Sequence, residues 1–198
     1  MDLNSKYNNA APDWAQTVAE LGYDAAYADF LHPHAQPTGP VLDAGCGTAA
    51  FARAWIKAGG SHDLTLLDPL PAMLDRACAT AQTLGLHPKL ACTTIDDHVP
   101  SALYHTILAA HVVEHSATPE TTFRRFSDWL EPQGQLFVVA SKPHWCNWVI
   151  WLRFRHRRFS AGQVLHFAHT ADLHHRLTHR FSSGPPSRTS LGYLFTKP

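Results

Sequence analysis

The feature that most constrains the fold is a strand, a glycine turn and a helix in immediate succession, over residues 40–60. The short apolar strand ends in Asp43, and the turn after it contains Gly45 and Gly47 before an Ala-rich helix begins. Glycines let the backbone of such a turn come close to a ligand, and the first turn of a helix offers unpaired N–H groups. The segment therefore predicts a cradle for a nucleotide-like ligand.

Short apolar strands and helices alternate through the following hundred or so residues. Further strands are predicted at residues 63–68, 89–94, 104–110 and 135–140, with helices that begin at Pro71 and after Thr118 and a turn at residues 131–134. The helical spacing of Tyr27, Phe30 and Leu31 predicts another helix before the first strand. The pattern then predicts a helix over residues 171–179, a strand from Phe181, a turn at residues 184–186 and a final strand over residues 191–196. We therefore expect an α/β fold: a Rossmann-like, seven-stranded, mostly parallel sheet with helices on both faces and a C-terminal antiparallel hairpin.

The length of 198 residues and a hydrophobic fraction of 45% are typical of one globular domain. We expect a single domain over residues 1–198, with an N-terminal helical cap at residues 1–39 and a substrate lid at residues 143–180. The four cysteines form no CxxC pair, the N-terminal stretch is polar, and no apolar run reaches the roughly 20 residues of a membrane span. These features predict a cytoplasmic protein.

Acidic and basic residues are balanced, 16 of each, so no overall field would attract nucleic acid. No Asn/Asp-Pro-Pro-Tyr type motif follows the fourth strand, and we expect no nucleic-acid partner. The 15 histidines are scattered, and His175 and His179 share helical spacing without a recognised ligand motif. We interpret them as a solvated helix face and predict no metal ion.

Polar residues fall at the predicted carboxyl ends of several strands, which is where parallel sheets bind ligands. They are Asp43, Asp68, Asp96, His111 and Ser141. We expect them to line one edge of the sheet.

Two cofactors compete for the glycine turn. A dinucleotide fold requires GxGxxG, but here Gly45 and Gly47 are followed by two alanines, so the third glycine is absent. The acid before the turn, Asp43, would repel a pyrophosphate but could accept hydrogen bonds from an ammonium group. A second acid, Asp68, ends the next strand and could accept both hydroxyls of a ribose. An ammonium group, a ribose and no phosphate describe S-adenosylmethionine (SAM).

Four segments together resemble the class I SAM-dependent methyltransferases: VLDAGCGTAAFARAWIKAG, TLLDPLPAMLDRA, LAAHVVEH and LEPQGQLFVVAS. Within that superfamily the motif pattern is most similar to the ubiquinone and menaquinone biosynthesis methyltransferases and their small-molecule relatives. The resemblance covers about residues 40–141. Two departures stand out: Ala49 occupies the place where relatives often carry a third glycine, and no Arg precedes the first strand.

The resemblance implies a set of cofactor-binding residues. It places Asp43, Gly45, Cys46 and Gly47 around the methionine part, Asp68 at the ribose, Pro69 and Leu70 beside the adenine, Ile95 and Asp96 at the adenine edge, and Ala110 and His111 by the transferable methyl group. Either Asp96 or Asp97 could be the acidic residue at the adenine edge.

The catalytic candidates are His111 and His115, which follow the fourth strand. A methyltransferase must align the acceptor with the methyl group and often must deprotonate it, and histidine is a suitable base. Alternatively, Glu114 and His115 have a structural role and no part in catalysis. A divalent-metal site formed by Glu114, His115 and Glu120 is a further alternative.

Substrate specificity is expected to lie in residues 143–159, and the part from Trp145 to Phe159 is the one that could contact a membrane. Its tryptophans follow a helical stripe and its arginines come after them. Three interpretations stay open: a lid helix on the core, an interfacial helix that contacts a membrane peripherally, and arginine recognition of an acidic substrate group.

We therefore expect an enzyme that transfers a methyl group from SAM to a small-molecule or lipid/quinone-like acceptor. The alternatives are a SAM-binding protein without turnover and a nicotinamide-dependent oxidoreductase. The acceptor, the methylated atom and the oligomeric state do not follow from the sequence.

Overall fold

The computed structural model describes residues 21–143 and 157–198. Its strands are β1 Val41–Ala44, β2 Leu64–Leu67, β3 Lys89–Ala91, β4 Tyr104–Ala110, β5 Leu130–Ser141, β6 His174–His179 and β7 Ser190–Thr196. Its helices are α1 Tyr23–Leu31, α2 Ala50–Lys57, α3 Pro71–Gln82, α4 Pro119–Trp129, α5 Ala161–Thr170 and α6 Gly184–Thr189, with a 3-10 turn at Val113–His115.

The seven strands form one sheet in the order β3-β2-β1-β4-β5-β7-β6. The first five strands pair in parallel, and β7 runs antiparallel to both β5 and β6. Strand β1 is central, and its Asp43 aligns with Leu66 of β2 and Leu108 of β4. The predicted α/β fold with a mostly parallel sheet and C-terminal antiparallel strands is confirmed.

Each face of the sheet carries its own apolar core, because successive side chains of a strand point to opposite faces. On β5, Leu136 and Val138 pack towards α4 and α5, whereas Phe137 and Val139 pack towards α1 and α2. The first face buries Phe123, Phe126, Val164 and Phe167, and the second buries Phe30, Phe51, Trp55 and Leu74. The stripe of Tyr27, Phe30 and Leu31 that predicted an N-terminal helix is the buried face of α1.

The predictions for the C-terminal part were wrong in their local structure. The helix expected over residues 171–179 is strand β6, no strand begins at Phe181, and the turn expected at residues 184–186 is the start of α6. Strand β6 forms by hydrogen bonding to β7, which follows it by ten residues, and histidine has no strong preference that would reveal this. His175 therefore lies on a strand, where its ring contacts Phe195.

Two strands differ in length from the prediction by three residues or more. Strand β3 ends at Ala91, and β5 begins at Leu130, directly after α4. The segment expected to be a turn lies inside β5, where Gln133 has a φ of 64° and the pairing with β4 changes register. The turn residues were thus recognised correctly, but they form an irregularity within a strand.

No helix in the described ranges is both long enough and apolar enough to cross a lipid bilayer.

Candidate functional site

The glycine turn between β1 and α2 has three residues with left-handed backbone conformations. They are Gly45, Gly47 and Ala49, with φ values of 68°, 53° and 62°. A Cβ on Gly45 would lie 2.4 Å from Cγ2 of Val112, whereas a Cβ on Gly47 would meet no atom within 4 Å. Gly45 is therefore required both for its conformation and for the approach of Val112, while Gly47 is required for its conformation and leaves open space above the turn.

Asp43 lies at the base of this cradle and is 1% exposed. One of its carboxylate oxygens accepts a hydrogen bond from the backbone N–H of Ala52 at 3.2 Å. Burial raises the pKa of Asp43 to about 7, against the effect of that hydrogen bond, and the nearby Asp68 raises it further. Because this carboxylate is shielded from water, its ionised form is stabilised when a cationic group binds beside it.

Asp68 holds the turn from the neighbouring strand. Its Oδ2 accepts a hydrogen bond from the N–H of Gly47 at 3.0 Å, and its Oδ1 accepts one from Leu70 at 2.9 Å. Burial raises the pKa of Asp68, although both hydrogen bonds lower it. Since each carboxylate oxygen has two lone pairs, each one can still accept a hydrogen bond from a ligand hydroxyl.

The remaining predicted cofactor residues lie around the same edge. Cys46 is buried, and its N–H donates to the carbonyl of Leu67 at 2.9 Å, which ties the turn to β2. Pro69 is exposed, while Leu70, Ile95, Ala110 and His111 are half-buried. Asp96 is exposed and points to α4, where it forms an ion pair with Arg125 at 3.4 Å. Asp97 instead bonds to Thr94 at 2.7 Å, so both carboxylates have partners within the protein.

His111 follows β4 in a left-handed conformation, with a φ of 55°. Its Nδ1 lies 3.0 Å from Oε1 of Glu114 and 3.2 Å from Oγ of Ser141. The opposite ring nitrogen, Nε2, is buried and has no hydrogen-bond partner among the described residues. The ring of Tyr23 contacts the imidazole edge to face, with 5.4 Å between centroids.

Glu114 is 2% exposed and is held from two sides. Its Oε1 accepts the backbone N–H of Ser141 at 2.7 Å in addition to its contact with His111. Burial alone would raise the pKa of Glu114, but the hydrogen bonds and the charge of His111 hold that pKa below its ordinary value. The sequence prediction treated His111 and Glu114 separately and did not foresee this contact, although their spacing of three residues could have signalled it. His115, the second catalytic candidate, lies beside this pair, where burial lowers its pKa although the charge of Glu114 raises it.

The sequence analysis also did not predict a cluster of hydroxyl groups that includes Tyr23, whose ring contacts His111. The hydroxyl of Tyr23 lies 3.3 Å from Oγ1 of Thr189 and 3.4 Å from Oγ of Ser190. Ser190 is in turn paired with Ser141 across β5 and β7. Tyr23, Ser141 and the adjacent pair Thr189 and Ser190 are more than 40 positions apart in the chain, so no local pattern could have grouped them.

Most of the proposed substrate segment, residues 144–156, lies outside the described residues. Its described end packs against the protein. The guanidinium of Arg157 donates to the carbonyl of Ala117 at 3.1 Å, and Phe159 is buried against Phe167. Phe159 is therefore part of the core and not of a surface that could meet a membrane.

The described ranges contain no group of three or more His, Cys, Asp or Glu side chains arranged to hold a metal ion. Glu114, His115 and Glu120 do not converge, because Glu114 is turned inwards to His111 and Ser141.

Comparisons with known proteins agree with this geometry. A family model described as a methyltransferase domain matches residues 14–181. The ubiquinone biosynthesis O-methyltransferase of Bradyrhizobium diazoefficiens is 26% identical over 110 residues, which cover 56% of this chain and 43% of that protein. The chain spans less than half the length of the curated relatives it matches.

Solved structures show the same fold at low sequence identity. A chain in the complex of the Haloferax volcanii Trm112 methyltransferase activator with a methyltransferase has a TM-score of 0.83 and 15% identity, covering 100% of this chain and 98% of that one. The 1,6-didemethyltoxoflavin-N1-methyltransferase of Burkholderia thailandensis, solved with its substrate and S-adenosylhomocysteine, has a TM-score of 0.76 and 17% identity, covering 98% and 87%. Because the family model matches most of the residues, the chain belongs to the methyltransferase domain family, as its resemblance to the class I SAM-dependent methyltransferases predicted.

Proposed function

We propose that this protein transfers a methyl group from SAM to a small-molecule or lipid/quinone-like acceptor. Membership of the methyltransferase domain family supports the reaction class. The Burkholderia relative contains S-adenosylhomocysteine, the product that SAM leaves after transfer, which supports the choice of donor. The observation that carries the proposal is the buried Asp43 beneath an open glycine turn.

The cradle fits SAM in both charge and space. Asp43 supplies a desolvated carboxylate for an ammonium group, and the open space above Gly47 admits the ligand. Asp68 has lone pairs left for ribose hydroxyls after its two backbone hydrogen bonds. A dinucleotide would instead bring a pyrophosphate towards two buried carboxylates, which is unfavourable.

When bound, SAM supplies a methyl group that its sulfonium charge activates for transfer. The work left to the protein is to align the acceptor, exclude water and accept a proton where the acceptor carries one. His111 is placed for the last task, since it lies after β4 at the edge that holds the cradle, and its Nε2 is unpaired within the described ranges. His115, which lies beside Glu114 and His111, is the second candidate for this task.

One observation supports a partly polar acceptor. The ring of Tyr23 contacts the imidazole of His111, and the hydroxyl of Tyr23 belongs to a cluster with those of Thr189 and Ser190. A peripheral membrane contact through residues 145–159 would suit a lipid acceptor, and it stays a prediction about a segment of which only the last three residues are described.

The direct test is to incubate the protein with methyl-labelled SAM and a native cell extract, then to measure label in the lipid and aqueous fractions. Label in either fraction supports the methyltransferase proposal, and label in the lipid fraction selects the lipid-like acceptor. Label in the aqueous fraction alone would count against membrane docking. SAM binding in calorimetry with no transfer to any extract would instead indicate a binding protein without turnover.

A further inference from the structure

We propose that Glu114 is a positioning residue that holds the proton of His111 on Nδ1, so that Nε2 serves as the base for an acceptor methylated on a hydroxyl oxygen. The inference rests on the proposed function, because it concerns the acceptor side of the same site. It names the class of acceptor, a compound with a free hydroxyl group, and the class of product, a methyl ether.

The hydrogen-bond geometry determines which ring nitrogen carries the proton. The pKa of Glu114 lies below its ordinary value, so the side chain is an ionised carboxylate that can only accept hydrogen bonds. Its Oε1 lies 3.0 Å from Nδ1 of His111, a distance at which two lone pairs would repel each other. Nδ1 must therefore be protonated in every charge state of the ring, which leaves Nε2 as the unprotonated nitrogen of the neutral form.

The carboxylate itself cannot turn away from the ring. The backbone N–H of Ser141 donates to the same Oε1 at 2.7 Å, at the end of β5. The Oγ of Ser141 lies 3.2 Å from Nδ1 and can share its proton. A strand end and a 3-10 turn thus fix the orientation of the imidazole from opposite sides.

Nε2 is the ring nitrogen that this arrangement leaves without a proton in the neutral form. Within the described part of the chain it is buried and has no hydrogen-bond partner, which is costly for a polar atom unless a ligand pairs with it. The ring stacks edge to face on Tyr23, whose hydroxyl belongs to the cluster with Thr189 and Ser190. A hydroxyl acceptor suits this arrangement, because its O–H can donate a hydrogen bond to Nε2.

The step balances without any other reactant. The acceptor oxygen forms a bond to the methyl carbon, and the bond from that carbon to sulfur breaks with its electrons left on sulfur, which becomes a neutral thioether. The proton of the acceptor hydroxyl moves to Nε2 of His111, and the imidazolium is stabilised by the Glu114 carboxylate. The titratable groups that face this pair are Tyr23 and Tyr27 of α1, His115 of the 3-10 turn and Tyr193 of β7.

The proton position can be measured on the full-length protein by long-range ¹H–¹⁵N correlation spectra of histidine-labelled samples with S-adenosylhomocysteine added. The His111 signals are assigned from the spectrum of His111→Asn. We expect that the neutral ring carries its proton on Nδ1 and that Nε2 is unprotonated. A proton on Nε2 in the neutral ring would overturn the proposal, whether or not any variant folds.

Two variants distinguish a positioning role of Glu114 in catalysis from a purely structural role. Glu114→Gln should lower the rate of label transfer from methyl-¹³C SAM to the native extract by about tenfold or more, because the neutral amide no longer stabilises the imidazolium. The affinity for SAM should not change, and the Nδ1 proton should move partly to Nε2. The matched control is Glu120→Gln, the same chemical change at an exposed acid, which should leave the rate and the spectrum unaltered. An unchanged rate in a folded Glu114→Gln protein would contradict the assignment.

The labelled product gives a third, independent outcome. The carbon shift of the transferred ¹³C-methyl group distinguishes an ether from methyl groups on nitrogen or carbon, and we expect an ether. A methyl group on carbon would overturn the acceptor class even if SAM binds normally. A failure of SAM to bind would instead overturn the proposed function, and the proton position on His111 would still be measured.

Discussion

The carboxylate of Asp68, at the end of β2, accepts a hydrogen bond from the N–H of Gly47, in the turn after β1, at 3.0 Å. The second acid of the cofactor motif therefore shapes the glycine turn as well as facing the proposed ribose position. Because the same side chain also accepts from Leu70, it joins the turn to the start of α3. The cradle is therefore formed jointly by the glycine turn after β1 and by Asp68 at the end of β2.

Replacing Asp68 with Asn should weaken SAM binding by about tenfold or more, because one acceptor oxygen and the negative charge are lost at a buried position. Calorimetric titration measures the affinity. Asp96→Asn provides the matched control, since Asp96 is exposed and paired with Arg125, and we expect a change of less than about threefold there. Equal losses in the two variants would show that Asp68 has no special place in the site.

Asp43 should make the ligand-free protein less stable as pH rises towards neutrality. Its pKa is about 7 in the folded protein against an ordinary value of 3.8, so between these values the folded state holds a proton that the unfolded state has lost. Stability therefore falls over that range, by at most about 4 kcal/mol. Asp43→Asn should remove this pH dependence. Thermal unfolding of both proteins between pH 5 and pH 8 measures it, and the stability of the wild-type protein relative to the variant should increase as pH falls.

The same carboxyl group should make SAM binding depend on pH in the opposite direction. An ammonium group binds the ionised carboxylate, so affinity should rise with pH up to about 7 and then level off, by at most about tenfold per pH unit. Measurements should stop near pH 7.5, since an α-amino group loses its proton at about 7.7–8.0. An affinity that is flat from pH 5.5 to pH 7 would exclude Asp43 as the partner of the ammonium group.

The two glycines of the turn should differ in their tolerance of alanine. Gly47→Ala should lower the free energy of unfolding by about 1–2 kcal/mol, the cost of a left-handed alanine with no steric conflict. Gly45→Ala should cost about 2–4 kcal/mol, since its Cβ would also meet Val112. Adding Val112→Ala should recover part of that loss, and chemical denaturation measures all three variants. Equal costs at the two glycines would mean that Val112 moves aside freely.

The N-terminal helix is joined to the cradle by an ion pair in which Nη2 of Arg53, on α2, donates to both carboxylate oxygens of Asp24, on α1. Both side chains are partly exposed, so the pair should contribute only about 0.5–1 kcal/mol in a double-mutant cycle of Asp24→Asn and Arg53→Gln. The coupling should decrease in high salt. A coupling that does not respond to salt would point to a contact other than the ion pair.

The parts of the fold that the sequence predicted well are those with local signals. Strand β4 was predicted with its bounds at Tyr104 and Ala110, and the helix from Pro71 ends before Gly85, whose φ of 73° suits a helix stop. Strand β6 was missed because its structure depends on pairing with β7. The contact of His111 with Ser141 was missed for a similar reason, since the sheet alone brings the ends of β4 and β5 together.

The central claim is that the cradle around Asp43, Gly47 and Asp68 binds SAM. Calorimetric titration of the wild-type protein with SAM at pH 7.5, followed by NAD⁺ as competitor, tests it most directly. We predict saturable binding of one SAM per chain that NAD⁺ does not displace. Binding of NAD⁺ together with no heat from SAM would contradict the claim and favour the oxidoreductase alternative.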